Sequence, residues 1–236
     1  MRSILVAVSV MALAAACGPT EPAKAVALAP SATAYGDLQT LLIEAKAGDT
    51  IEIGEGRFDF TDGLSLTVDG VTIKGAGQDK TFISFKGQTG AGEGLLITSD
   101  NVTVTGFTME DPKGDGIKSK GADNITYKDL KVVWTGGPLA TNGAYGVYPV
   151  ESKNVLIDGV TVSGASDAGI YVGQSENIIV RNSRVEYNVA GIEIENSKFA
   201  DVHDNVATKN TGGILVFDLP DLPVMGGHST RIFNNQ

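Results

Sequence analysis

Short stretches in which apolar and polar residues alternate run along most of the chain, and they recur at a nearly constant spacing. Alternation with a period of two is the pattern of a β-strand that buries one face. Each repeat holds three such stretches, with turn-forming Gly, Asn and Asp between them. The first stretch of each repeat begins with a glycine before Ile, Val or Leu, and these glycines are Gly94, Gly116, Gly146, Gly169, Gly191 and Gly213. The pattern predicts three short strands in every repeat of about 22 residues.

A repeat of this size has too few apolar residues to bury them alone, so successive repeats must stack. Equivalent apolar positions then form ladders through the interior. The two clearest predicted ladders are Leu95, Ile117, Val147, Ile170, Ile192 and Ile214, and Val102, Ile125, Val155 and Ile178. We therefore predict an all-β fold, a right-handed single-stranded parallel β-helix (a solenoid), over residues 35–236.

An asparagine recurs at one turn of four repeats, as Asn101, Asn124, Asn154 and Asn177. Asparagine tolerates the left-handed backbone conformation of tight turns, and its side-chain amide can bond to the next repeat. We interpret this column as structural rather than catalytic.

The two ends of the repeat region differ. Asp37 is the predicted N-cap of a short helix that Gly48 terminates. The apolar face of this helix consists of Leu38, Leu41, Leu42 and Ala45. Such a helix would cap the open apolar end of the first coil. At the other end the sequence reaches Gln236 within a coil, and we expect the solenoid to be truncated there or a partner to cover it.

The first residues carry a targeting signal. Residues 1–16 read MRSILVAVSVMALAAA, with one Arg, an apolar run and small residues at the exit, which is the plan of a signal peptide. Cys17, the single cysteine, follows directly and resembles the lipidated cysteine of a bacterial lipobox. The alternative is an ordinary cleaved signal followed by an unpaired cysteine. We predict a lipoprotein-type signal over 1–17, a flexible tether over 18–34, and a lipid-anchored periplasmic or outer-membrane location in a bacterium.

Composition supports a turn-rich β protein, since the chain has 30 glycines and only 19% charged residues. The net charge of −10 argues against a nucleic-acid partner, because phosphates are bound by patches of Lys and Arg. The remaining predicted partners are a polysaccharide or an envelope protein, with the membrane reached through the lipid on Cys17.

Three segments interrupt the repeat, and functional loops of solenoids usually lie at such interruptions. They are residues 78–93, 134–145 and 218–229. The second contains Trp134, the single tryptophan, which either plugs a gap beneath the loop or stacks on a sugar ring. We favour the plug.

Two pieces of sequence, together with the 22-residue spacing, carry a resemblance to a known family: NTGGILVFDLPDLPV at 210–224 and GDGIKSKGADNI at 114–125. Over roughly residues 35–236 the chain resembles bacterial exported parallel β-helix repeat proteins of the right-handed β-helix, pectin-lyase-like class. The Phe-Asp-Leu-Pro-x-Leu-Pro piece is the most specific part. The resemblance implies the fold but not one activity, since that class includes pectate and alginate lyases, polygalacturonases, mannuronan epimerases, adhesins and scaffolds.

The catalytic motifs of that class are incomplete here. Polygalacturonases resemble one another in Gly-His-Gly and Arg-Ile-Lys pieces, where this chain has only Gly227-His228-Ser229 and Gly116-Ile117-Lys118. Mannuronan epimerases have Asp-Pro-His, where this chain has Asp111-Pro112-Lys113. A pectate-lyase-like site would need clustered carboxylates for Ca²⁺ and a base. We leave the cofactor unassigned with Ca²⁺ as the candidate, assign no metal ligands, and predict His203 and His228 to be surface residues.

Residues two and four positions after each repeat glycine point outward, beside the interior ladder. The first outward column is Lys118, Tyr148, Tyr171, Glu193 and Leu215, and the second is Lys120, Val150, Gly173, Glu195 and Phe217. Stacking would join them into a wall with Lys at one end, Tyr in the middle and Glu at the other. Tyrosine suits sugar rings, lysine suits carboxylates, and carboxylates suit hydroxyls or calcium. The alternative is a solvated face whose stacked tyrosines only stabilise the strands.

The candidate catalytic residues are Lys118 and Lys113, as a base or carboxylate clamp, with Asp111 and Asp115 beside them. The candidate substrate-binding residues are Lys120, Tyr148, Tyr171, Glu193 and Glu195. Two functions remain open. One is an envelope lipoprotein that binds or processes a polysaccharide, as a uronate-polymer lyase or epimerase or as a non-catalytic glycan binder. The other is a non-enzymatic scaffold for an envelope protein.

Overall fold

A computed structural model describes residues 25–236 except Ala91. The predicted signal peptide and lipobox, including Cys17, lie outside the described residues. The later part of the predicted tether lies within the described residues. Residues 25–28 form a strand that pairs in parallel with residues 50–53. The solenoid therefore takes in residues that we had predicted to be tether.

The described strands form three parallel sheets. Sheet A consists, in spatial order, of β1 (Ala25–Leu28), β2 (Thr50–Ile53), β5 (Thr72–Gly75), β8 (Thr103–Thr105), β11 (Ile125–Lys128), β14 (Lys153–Asp158), β17 (Glu176–Arg181), β20 (Lys198–His203) and β23 (Arg231–Phe233). Sheet B consists of β3 (Gly56–Asp59), β6 (Thr81–Ser84), β9 (Thr108–Glu110), β12 (Lys131–Val133), β15 (Thr161–Ser163), β18 (Arg184–Glu186) and β21 (Val206–Thr208). Sheet C consists of β4 (Leu64–Leu66), β7 (Leu95–Ile97), β10 (Ile117–Lys120), β13 (Val147–Val150), β16 (Ala168–Gly173), β19 (Ala190–Glu195) and β22 (Gly212–Phe217).

From β2 to β20, each strand pairs with the strand three places later in the chain, so one coil contributes one strand to each sheet. The product is an all-β parallel solenoid of about seven turns, which confirms the predicted fold. No helix in the described part of the chain is long and apolar enough to cross a membrane.

The interior is built from the predicted ladders. On sheet C, Ile117 pairs with Leu95 on one side and Val147 on the other, and the ladder continues in register to Ile214. On sheet A, Val155 pairs with both Ile125 and Ile178. These side chains are buried except for the partly buried Ile214. Alternation along each strand has therefore placed one apolar residue per coil at each interior position.

The asparagine column is a hydrogen-bonded ladder, as predicted. Asn101, Asn124, Asn154 and Asn177 all adopt left-handed backbone conformations with φ between 56° and 59°. Each amide nitrogen donates to the amide oxygen of the preceding coil's asparagine, at 3.0, 2.8 and 3.1 Å along the series. The next coil places Phe199 at this position, also at a positive φ of 54°.

A helix, α1 (Ala34–Glu44), lies before the coils. Its apolar face is as predicted, with Leu38 and Leu42 fully buried. The predicted start of the helix is wrong, because the N-cap is Thr33 rather than Asp37. Asp37 lies in the first turn, where it accepts a hydrogen bond from the Thr33 hydroxyl at 2.7 Å. An acidic residue in the first turn favours the helix dipole without being the cap. The helix also ends before Gly48, with Ala45 as its C-cap.

The interruptions have different structures. Residues 78–93 are only partly a loop, because they contain β6. In the 134–145 segment Trp134 is buried, and its ring N–H donates to the carbonyl oxygen of Pro112 at 2.8 Å. The plug interpretation is confirmed, and a sugar-stacking role is wrong. Gly143 allows this packing, since a Cβ there would lie 1.7 Å from the carbonyl oxygen of Gly114.

The asparagine ladder yields a test of stability. Asn154→Ala removes two ladder hydrogen bonds and places alanine in a left-handed conformation, so we expect a loss of about 2–3 kcal/mol in unfolding free energy. Asn154→Gly removes the same bonds without the conformational cost and should lose about 1–2 kcal/mol. Urea unfolding measures both, with Thr126→Ala on the outer face of sheet A as the control. Equal losses for Ala and Gly would contradict the backbone part of this account.

Candidate functional site

The outer face of sheet C contains the two predicted columns in the expected register. Lys118 pairs with Tyr148, and the pairing of Val147 with Ile170 places Tyr148 next to Tyr171. Tyr171 pairs in turn with Glu193. In the second column Lys120 pairs with Val150, and the series ends Gly173, Glu195, Phe217.

Three tyrosines form the centre of this face. The ring of Tyr145 stacks on that of Tyr171 with centroids 4.4 Å apart, and it lies 4.7 Å from that of Tyr148. Tyr148 and Tyr171 meet edge to face at 5.0 Å. Such contacts hold aromatic rings rigidly. Tyr171 is 7% exposed, whereas Tyr145 and Tyr148 are only partly buried and present their rings outward.

Lys118 lies at one end of the cluster between two carboxylates. Its Nζ is 3.2 Å from Asp115 Oδ2 and 3.3 Å from Glu93 Oε1, and it lies 4.7 Å from the centroid of the Tyr148 ring. Burial by itself would lower the pKa of Lys118, but attraction to Asp115 and Glu93 outweighs it and raises that pKa. Burial also raises the pKa of Asp115, which Lys118 only partly offsets.

The other end of the cluster is acidic. Tyr171 donates its phenolic hydrogen to Glu195, which is 3% exposed. Gly173 provides the space, since a Cβ there would lie 3.0 Å from the Tyr171 ring and 3.3 Å from Glu195 Oε2. Burial and this carboxylate raise the pKa of Tyr171, so its hydroxyl remains a donor.

Glu193 is the most perturbed carboxyl of the face. Burial, followed by the nearby carboxylates of Asp167 and Glu195, raises its pKa from 4.5 to about 7. The residue is 8% exposed. No hydrogen bond or ion pair joins its side chain to another residue in the described range. At neutral pH this carboxyl is therefore divided between its protonated and ionised forms.

The structure separates the remaining candidates from this cluster. Asp111 accepts hydrogen bonds from the Thr135 backbone N–H and hydroxyl, both at 2.6 Å, so it ties one coil to the next. Lys113 is exposed and donates to the carbonyl oxygen of Thr89 at 3.3 Å. Lys120 is exposed at the end of β10. The structure places none of these three in contact with the tyrosines.

Two members of the site escaped the sequence analysis: Tyr145 and Glu93. Each stands directly before a repeat glycine, whereas Asp167, two places before Gly169, is expected from the sequence to lie ahead of the Tyr171 coil. The position before the glycine is a further column, which reads Glu93, Asp115, Tyr145, Ala168, Ala190 and Gly212. Extending the repeat by one residue towards its N-terminus would have shown this column beside the first outward one.

The face offers aromatic, carboxyl and ammonium groups but no metal site. No group of three or more His, Cys, Asp or Glu is placed to hold a metal ion among the residues that the structure describes. His203 contacts Asp204 at 2.6 Å and stacks on Phe233, while His228 packs against Phe199. Both histidines lie at the surface, as predicted. His203 is on sheet A and His228 forms a bridge to it, whereas the tyrosine cluster is on sheet C.

One surface cleft lies apart from this chemistry. It has a volume of about 310 Å³ and lies between the inserted 134–145 segment and the turns that hold Tyr187 and Lys209. Its lining contains Leu139 and Val189 but no carboxylate. The tyrosine cluster lies instead on the outer face of sheet C, where it is only partly exposed.

Comparisons with known proteins agree with the coil architecture. A family model described as a right-handed β-helix region matches residues 61–222. The chain is similar to the Dettilon tailspike protein, with a TM-score of 0.58 and 14% identity, covering 89% of this chain and 50% of that one. No curated protein sequence matches.

Two further solved structures are similar to this chain. One is the catalytic domain of an α-1,3-glucanase in complex with tetrasaccharides, with a TM-score of 0.54 and 15% identity, covering 85% of this chain and 39% of that one. The other is a Streptococcus pneumoniae surface protein and adhesin, with a TM-score of 0.54 and 13% identity, covering 73% and 55%. The chain thus spans between 39% and 55% of these three structures, and at such identities the likeness shows the fold alone.

The raised pKa of Glu193 has a consequence for stability. The folded protein holds this proton more tightly than the unfolded chain does, so ionising Glu193 reduces stability as the pH rises from about 4.5 to about 7. We expect Glu193→Gln to be more stable than wild type by about 1–2 kcal/mol at pH 8, after discounting for solvent screening, and nearly equal at pH 4.

Urea unfolding at the two pH values measures this difference. Glu176→Gln is the matched control, because it makes the same change of charge on sheet A. A gain that is the same for both variants, or the same at both pH values, would contradict the assignment.

Proposed function

The chain belongs to the right-handed β-helix family, and we propose that it binds or processes a polysaccharide on the outer face of sheet C. The observation that carries this proposal is the cluster of Tyr145, Tyr148 and Tyr171 with carboxyl groups at its edge. Tyrosine rings pack on the apolar faces of sugars, and carboxyl groups bond to their hydroxyls. The similar α-1,3-glucanase domain is in complex with tetrasaccharides, which supports a ligand of this kind on this fold without assigning one to this chain.

The geometry favours a binding role for this face over the predicted catalytic role of its lysines. A general base must give up its proton near neutral pH, whereas the two carboxylates beside Lys118 raise its pKa. Lys118 is also unavailable as a clamp for a uronate carboxylate, because Asp115 and Glu93 already pair with it. We therefore assign Lys118 to positioning the Tyr148 ring. Glu193 is the group whose pKa suits proton transfer, should the site process its ligand.

A second candidate function is attachment to another protein through the outer face of sheet A. Phe199 is 49% exposed and holds a left-handed backbone conformation that the preceding coils give to asparagine. Ile179, on the neighbouring strand, is 38% exposed. An exposed, conformationally costly aromatic residue favours a contact role. The scaffold alternative would use this face.

We also propose that the protein is anchored in a bacterial envelope through Cys17. The support is the sequence alone: the apolar run followed by small residues and the single cysteine. We expect Cys17→Ala to move the protein from the membrane fraction to the soluble fraction of fractionated cells. Wild-type protein already in the soluble fraction would contradict the anchor.

Tyr148→Ala tests the proposed polysaccharide face. Loss of the partly exposed Tyr148 ring should weaken oligosaccharide binding about tenfold, because one such contact contributes about 1–1.5 kcal/mol. Calorimetry with a panel of neutral, amino-bearing and uronate oligosaccharides measures this. Phe199→Ala is the control, since it removes an exposed aromatic ring from a different sheet.

The outcome separates the candidates. Binding that Tyr148→Ala weakens and Phe199→Ala does not supports the sheet C face. The absence of binding to every member of the panel would overturn the proposal and favour the scaffold function. Product masses recorded in the same samples show whether the bound sugar is also cleaved.

A further inference from the structure

We infer that the Glu193 end of the tyrosine face receives an ammonium group, so that the polysaccharide is one with amino sugars. This inference rests on the proposed function and narrows it to a substrate class. It rests on a comparison of the two ends of the face. Both ends contain tyrosine rings and carboxyl groups, but a lysine side chain lies between them only at the Lys118 end.

The Lys118 end shows how this surface holds an ammonium group. The Nζ atom lies above the Tyr148 ring and within 3.3 Å of both Asp115 and Glu93. Tyrosine faces attract cations through the ring quadrupole, and the attraction grows when water is excluded. A cation between a ring and two carboxylates is thus already stable at one end.

The Glu193 end has the same kinds of groups and no cation. Tyr145 contacts rings at both ends, and its stacking partner Tyr171 is paired in register with Glu193. Asp167 lies close enough to raise the pKa values of both Glu193 and Tyr145. None of the ion pairs in the described part of the chain involves Glu193.

Glu193 is the carboxyl group of this face that lacks a partner. The residue is 8% exposed, yet its oxygens are not among the buried unpaired side-chain atoms of the described residues, which are Ser119 Oγ and Tyr127 OH, so they can be reached from outside the chain. Asp115 forms an ion pair with Lys118, and Glu195 accepts a hydrogen bond from Tyr171. Glu193 has neither an ion-pair nor a hydrogen-bond partner among the residues described. An ammonium group from outside the chain would supply the missing one.

The charge of the face also disfavours the uronate polymers that the sequence suggested. The carboxyl groups around the tyrosines are Glu93, Asp115, Asp167, Glu193 and Glu195, and Lys118 is the cation among them. Like charges at close range disfavour binding. A uronate chain would meet this repulsion, whereas an amino-sugar chain would relieve it.

The groups that face Glu193 make the binding depend on pH in a known direction. They are Asp167 ahead of β16, Tyr171 on β16, Tyr145 ahead of β13 and Glu195 on its own strand. Asp167 and Glu195 oppose the ionisation of Glu193. A bound cation favours the ionised form, so binding releases a proton below pH 7 and strengthens as the pH rises.

The experiment uses two tetrasaccharides with the same glucosamine backbone. In one, every amine is trimethylated and so remains charged at all pH values; in the other, every amine is acetylated and neutral. Calorimetry at pH 6 and pH 8 compares wild type, Glu193→Gln and the control Glu176→Gln, which changes the same charge on sheet A. Circular dichroism verifies that each variant is folded.

We expect wild type to prefer the trimethylated sugar at pH 8 by about tenfold or more, and the affinity for it to fall about tenfold at pH 6 as Glu193 takes up its proton. Glu193→Gln should lose most of the preference and the pH dependence, and Glu176→Gln should retain both. General attraction of a cation to a chain of net charge −10 would affect the two variants equally.

Each of the alternative results contradicts either the amino-sugar inference or the proposed function. Equal binding of the two sugars by wild type overturns the amino-sugar inference and leaves polysaccharide binding standing. A preference that Glu193→Gln retains also overturns the inference, because the cation then lies elsewhere. Binding of neither sugar, nor of any other member of the polysaccharide panel, removes the proposed function and this inference together.

Discussion

Parallel pairing of equivalent residues in successive coils is the constraint on which the rest of the structure depends. Backbone hydrogen bonding fixes neighbouring strands about 4.8 Å apart, so each side chain has its counterpart in the next coil as its nearest neighbour. Inside the solenoid this favours one apolar residue per column, as in Ile117, Val147 and Ile170. At the turn it favours a side chain that both donates and accepts, which is why asparagine amides can bond in series.

The same constraint shapes the outer face. A charged residue must find its partner within one coil above or below, or in the next column, because no other residues are within reach. Lys118 satisfies this through Asp115, three residues earlier, and Glu93, in the preceding coil. Tyr171 and Glu195 satisfy it across one coil, with Gly173 leaving the space between them. The chemistry of the site is thus a property of adjacent columns rather than of any single motif.

The repeat spacing was enough to predict the fold, the interior ladders, the asparagine ladder and the register of both outward columns. These features follow from periodicity, because a column continues wherever the spacing does. The sequence did not predict which residues around the columns would meet. Tyr145 stands directly before a repeat glycine at the end of an inserted segment, so its column follows from the spacing, but its stacking on Tyr171 does not. The helix start was misplaced for a similar local reason, since Thr33 and Asp37 are both able to cap and bond to each other.

The lack of a counter-charge at Glu193 follows from the columns that surround it. In its own column the neighbours are Tyr171 and Leu215, and the column before the glycines supplies only Ala168, Ala190 and Gly212 in these coils. The second column supplies Gly173, Glu195 and Phe217. None of these positions holds a cation. Burial and the nearby carboxylates raise the pKa of Glu193 and so favour its protonated form, while the ionised form would be favoured by solvent or by a positive group from outside the chain. The carboxyl groups beside Lys118 are paired with a cation of the chain itself, whereas Glu193, three coils away, is not. The outer face of sheet C is therefore asymmetric along the solenoid, and a polysaccharide bound as proposed would meet different groups at its two ends.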